Sequence, residues 1–159
     1  MNTHHIGLHV LVLLLLVQGG CDSRPKRVPV SGRVIIDGEP LKFGSVVFVP
    51  ERGRQSTGAL DESGSFTLTC YDPGDGALVG KHRVEILTSQ AINNTTLKWH
   101  APKKYADRKT SELTQEVSSP TDSVVFNLTW KGSPPEKPFI ERSEANDGEE
   151  AFGRSRRKK

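Results

Sequence analysis

The sequence predicts an all-β fold, a small antiparallel β-sandwich of about seven strands, with a disordered C-terminal tail. Three observations carry that expectation. Short apolar runs rich in β-branched residues recur between Gly-, Asp- and Pro-containing turns, as in Ser45-Val-Val-Phe-Val-Pro50. Two segments alternate: Phe66, Leu68 and Cys70 share one face against Ser65, Thr67 and Thr69, and Val124, Phe126 and Leu128 share another. The 15 Gly and 10 Pro, with no sustained helical period, favour turns over long helices.

Residues 1–20 come first in the chain. The apolar run Leu8 to Val17 is about half of the roughly twenty residues that a helix needs to span a bilayer. It has the length of a signal-peptide core, and the small residues Gly19 and Gly20 follow it. Cys21 comes next, and Asp22 to Arg27 is a short polar tether.

The domain is expected over 28–130. Val28, Val30 and Val34 to Ile36 supply a strand that turns at Asp37-Gly38, a strong hairpin pair. Ser45 to Pro50 is short enough for a buried strand, and Pro50 ends it. Asp61-Glu-Ser-Gly64 is a turn before the strand Ser65 to Cys70. Asp72 to Gly80 is a loop. Lys81 to Ser89 is a further strand with Val84 and Ile86 toward the core and His82 pointing away or at the rim. Residues 90–123 are less regular, and Ser123 to Trp130 is the last strand.

From Gly132 the pattern stops. A proline-rich linker and a polar, charged tail make 131–159 read as disordered. The end of the tail is basic: Arg154, Arg156, Arg157, Lys158 and Lys159 are five of the 22 Lys and Arg residues, so 17 remain against 19 acidic residues, a net of −2. The folded part is therefore near neutral, which argues against a nucleic-acid-binding face. The tail itself reads either as a contact to an anionic surface or as a solubilising end.

The chemistry-bearing residues have plain readings. Asp61-Glu-Ser-Gly64 offers too few oxygens for calcium, and Asp72-Pro-Gly-Asp-Gly76 suits a loop better than a cation site. No metal-ligand spacing is present and no cofactor is implied. His82 and His100 belong to no nucleophile motif, and no catalytic residue is assigned. Pro102 to Lys109 mixes four cations with Tyr105; the choice lies between an anion-binding groove and a connection with Tyr105 packed on the sandwich edge, and the second is preferred. Trp99 and Trp130 are either an exposed platform or, as preferred, plugs at the two ends of the core.

Two resemblances add to this reading. Small residues before Cys21, after an apolar core, resemble the lipobox of bacterial lipoproteins, although Gln18 stands where Leu is usual and the first seven residues hold no Lys or Arg. In that family the cysteine is acylated and becomes the first residue. An ordinary signal would leave Cys21 free to pair with Cys70 in an oxidising compartment. Val30-Ser-Gly-Arg-Val34, Asp37-Gly-Glu-Pro-Leu41, Gly44 to Pro50, Gly58, Asp61 to Phe66 and Gly80-Lys-His-Arg-Val84 resemble the carboxypeptidase regulatory-like, transthyretin-type β-sandwich. With Pro102-Lys-Lys-Tyr105, Thr110-Ser-Glu-Leu-Thr114, Glu116-Val117 and Phe126-Asn-Leu128, the likeness narrows to the small lipoproteins of that type abundant in planctomycete bacteria.

The resemblance implies a sandwich and no peptidase zinc site. The functional expectation is a non-enzymatic module of the cell envelope, exported and held by lipid on Cys21 at the periplasmic side of a membrane. Its partners would be that membrane and an envelope protein or anionic wall polymer. An adaptor pairing through an edge strand is the alternative, and a hydrolase using His82 or His100 is the remote one.

Overall fold

The structure, a computed structural model, describes residues 24–143. Cys21, the apolar run before it and residues 144–159 lie outside the described residues. The described chain is nearly all β, with one 3-10 turn at Lys103–Ala106. Among the described residues no helix is long and apolar enough to cross a membrane.

The first sheet is built on β2 (Val30–Ile36), after the short β1 (Arg27–Val28). Asp37 and Gly38 both take positive φ, 48° and 90°, and turn the chain into β3 (Glu39–Pro40). The second sheet starts with β4 (Ser45–Pro50), antiparallel to β5 (Ser56–Ala59). Next, β6 (Ser65–Thr67) returns to the first half of β2, while a bridge from Thr69 to Thr57 ties the chain to β5. This segment joins the two sheets along one side.

β7 (Ala77–Leu78) pairs with β1, and β8 (Gly80–Leu87) lies antiparallel beside β4. β9 (Ser89–Asn93) and β10 (Thr96–Trp99) form a hairpin over a stretch expected to be irregular. After the 3-10 turn, β11 (Thr114–Val117) completes a second sheet ordered β11-β8-β4-β5. β12 (Thr121–Leu128) crosses to the first sheet and lies beside β2.

The β2–β12 pairing is parallel, whereas a wholly antiparallel sandwich was expected. Hairpins force antiparallel neighbours, but β12 reaches β2 from the opposite sheet. That route supplies the long crossover that parallel pairing needs. The described residues also hold thirteen strand segments rather than about seven, because four of them are only two or three residues long.

The core lies between the sheets. Val30 and Val34 of β2 and Val124, Phe126 and Leu128 of β12 face Val46 and Phe48 of β4 and Val84 and Ile86 of β8, all buried. Phe48 meets Phe126 at 6.0 Å and Phe66 at 6.4 Å between ring centroids. Each such side chain contributes about 1.5–3 kcal/mol when fully buried.

Two further expectations are corrected. His82 does not point away from the core: it is fully buried, 5.5 Å from the Phe48 ring, on the same face as Val84 and Ile86. The two-residue period of a strand requires that placement. The disordered segment expected from 131 does not hold for β13 (Phe139–Arg142), which pairs antiparallel with β10. Phe139 stacks on Trp99, with centroids 6.3 Å apart, so one aromatic residue docks a polar tail.

Candidate functional site

The chain enters the sandwich at the end where β1 and β7 meet, and this end gathers the most concentrated charge chemistry. The loop 69–76 folds around Asp75. Its carboxylate accepts backbone N–H bonds from Cys70 at 2.7 Å, Tyr71 at 3.1 Å and Asp72 at 3.1 Å, and from Arg27 Nε at 2.6 Å. Burial works to raise the pKa of this carboxyl. The backbone donors of Cys70, Asp72 and Tyr71, with Arg27, overcome that and hold it at about 2. Asp75 is therefore an ion that organises its own loop.

Asp72 ties the incoming chain to the same loop. Arg24 Nη1 lies 2.7 Å and Arg27 Nη2 3.3 Å from its Oδ2. The guanidinium carbons of Arg24, Arg27 and Arg54 each sit 5.2 Å from the centroid of the Tyr71 ring. A ring's negative face attracts cations at this range. Arg54 comes from the exposed loop 51–55, whose backbone oxygen at Arg54 lies 3.7 Å from the buried free thiol of Cys70. Val79, which is 43% exposed, donates its N–H to the Lys26 carbonyl at 3.1 Å. Arg24, Lys26, Arg27, Arg52, Arg54, Tyr71 and Val79 thus share one end of the molecule.

Sequence reasoning missed this end. Its cations are scattered over two polar stretches, 24–27 and 51–55, and each stretch alone reads as tether or loop. The recurrence of Arg and Lys at 24, 26, 27, 52 and 54 was the available signal.

The residues singled out from sequence fall as follows. Cys21 and Arg154, Arg156, Arg157, Lys158 and Lys159 lie outside the described residues. Asp61 Oδ1 accepts the Ser63 hydroxyl at 2.7 Å and the N–H groups of Ser63 and Ser65 at 2.8 and 2.9 Å. The Ser63 hydroxyl, then the Ser65 amide, lower its pKa, and the turn reading stands. His82 Nε2 donates to the Leu78 carbonyl at 2.8 Å inside the core. His100 Nε2 meets Gln90 Oε1 at 2.9 Å with its ring 4.7 Å from Phe43; burial, then Lys98, lower its pKa.

Tyr105 is buried on the sandwich, and its hydroxyl accepts the Thr129 N–H at 3.2 Å. Nearby Lys103 pairs with Glu141 and lies over the Trp99 ring, and Lys104 lies over Tyr105. Trp99 and Trp130 do not plug opposite ends of the core. Both meet Phe139, Trp99 by stacking and Trp130 edge-on at 6.5 Å. Trp99 Nε1 also donates to Glu141 at 2.8 Å, so this aromatic set closes over the C-terminal strand.

A groove on the second sheet is lined by Glu51, Lys81, His82, Arg83, Arg108 and Thr114; His82 is itself fully buried there. Arg108 of this groove lies 3.7 Å from Glu85. Among the described residues no three His, Cys, Asp or Glu side chains cluster to hold a metal ion.

Fold and site together define the class: an all-β sandwich whose entering strand is locked to a cationic end. Comparison with family models, with curated proteins and with solved structures returned no match to the chain.

Proposed function

We propose that the chain is a membrane-anchored bacterial lipoprotein, acylated at Cys21, whose β-sandwich is a non-enzymatic binding or structural module of the cell envelope. The supporting observation is how close to Cys21 in the chain the sandwich makes its contacts. Arg24, three residues after Cys21, is already bonded to Asp72, and β1 starts at Arg27. Three residues reach at most about 10 Å. A lipid on Cys21 would therefore hold the Tyr71 end of the sandwich against the bilayer, with the remaining loops directed outward.

The histidines support a non-enzymatic module over a hydrolase. A base must reach the proton that it takes. His82 is wholly enclosed beside Phe48, and His100 is engaged by Gln90 and Phe43. The second reading, an adaptor, draws on β12. It is the outer strand of the first sheet, and Val125 at its middle is 51% exposed. An open edge of that length accepts a partner strand.

The test of the anchor is the mass of the N-terminal peptide from the membrane fraction of the native host, for wild type and Cys21→Ser. A peptide beginning at Cys21 with two or three acyl chains, absent in the variant, is expected. An unmodified Cys21, or a Cys21–Cys70 disulfide, would overturn the reading.

A further inference from the structure

We infer that the end of the sandwich formed by Lys26, Arg52, Arg54, Tyr71 and Val79 is a docking surface for the anionic headgroups of a phospholipid bilayer. The inference takes its setting from the anchored reading and adds a face and a lipid chemistry to it. The charges at this end are unequal. Among the described residues, five cations, at 24, 26, 27, 52 and 54, stand against Glu51, Asp72 and Asp75. Asp75 is consumed by Arg27 and its own loop amides, and Asp72 by Arg24 and Arg27. Lys26, Arg52 and Arg54 are exposed and form no ion pair among the described residues.

The neighbouring uncharged groups suit a headgroup layer. Val79 is an exposed apolar side chain beside Lys26, and Tyr71 is a half-buried amphipathic ring under three guanidinium groups. Rings of this kind sit where one end is apolar and the other wet. Position selects the partner. A leash of about 10 Å keeps this end within roughly one Debye length of the surface, where attraction to anionic lipid persists. A soluble polyanion would have no reason to meet this end in particular.

The experiment uses the chain without residues 1–20, carrying Cys21→Ser and Gln in place of the five cations of the tail (R154Q, R156Q, R157Q, K158Q, K159Q). Binding to phosphatidylglycerol/phosphatidylcholine vesicles is compared with binding to phosphatidylcholine alone and to soluble polyphosphate. Adding K26Q, R52Q and R54Q is expected to weaken binding to the anionic vesicles on the order of 100-fold. Adding Glu51→Lys instead, a change of two charges, is expected to tighten it about 30-fold, a gain that misfolding does not produce.

No preference for anionic vesicles, unchanged binding in both variants, or tighter binding to polyphosphate would each overturn the proposal, the last in favour of an anionic polymer. The protein assayed carries no lipid. The vesicle result therefore stands apart from whether native Cys21 is acylated, and the two readings fail separately.

Discussion

Asp75 has the most consequential carboxylate among the described residues. It accepts three backbone N–H groups and Arg27 at once, which a neutral amide with one oxygen cannot do in the same geometry. Asp75→Asn is expected to cost about 2 kcal/mol at neutral pH, measured by denaturant unfolding. The pH dependence has a definite sign. The folded carboxyl titrates at about 2, below its ordinary value. The unfolded chain thus takes up the proton first as pH falls. The contribution is complete above about pH 4 and is lost as pH falls through about 2, so wild type and variant should converge over that window. None of this was legible in Asp72-Pro-Gly-Asp-Gly76 as a string. The sequence reading stopped at a turn-rich loop, because the Arg27 partner lies 48 residues away.

Among the elements, β2 carries the first sheet, with β12 along one side and β3 and β6 along the other. Gly32 sits at the tightest point of that arrangement. A Cβ built there would stand 2.1 Å from the Val124 carbonyl oxygen, which is backbone and cannot turn aside. Gly32→Ala is expected to force β12 away from β2 and to cost about 3 kcal/mol. Hydrogen exchange checks this: the amides of Val124 to Leu128 should lose protection first. The strand itself was legible, since Val30 and Val34 keep a two-residue period, and so was the inward face of β12. The reason for Gly32 was not. It depends on a neighbour that arrives more than eighty residues later. His82 was misjudged although the same period that placed Val84 and Ile86 inward also placed it inward. A polar side chain in a strand does not by itself point outward; the two-residue period decides its face.

At the scale of the molecule, the chain closes on itself at both ends of the described segment. The entering segment is pinned to the loop 69–76, and β13 returns to β10 through Phe139, Trp99, Trp130 and Glu141. Phe139→Ala is expected to release β13. The amides of Thr96 to Trp99 should then exchange faster, while those of Val46, Phe48 and Val84 keep their protection, and stability should fall by about 1 kcal/mol. Equal loss of protection in the core would show instead that the returning strand is part of the cooperative unit.

The sequence by itself determined the fold class, the positions of the main strands, the inward faces of β6 and β12 and the inward placement of Val84 and Ile86 in β8. Those properties rest on alternation and turn chemistry within a few residues. Only the tertiary structure decided that β12 runs parallel to β2, that Phe139 brings a polar tail back onto Trp99, and that Arg24, Arg27 and Arg54 converge on Tyr71. Each of those depends on groups brought together from distant parts of the chain, and a local pattern holds no record of which distant residues the packed core will make neighbours.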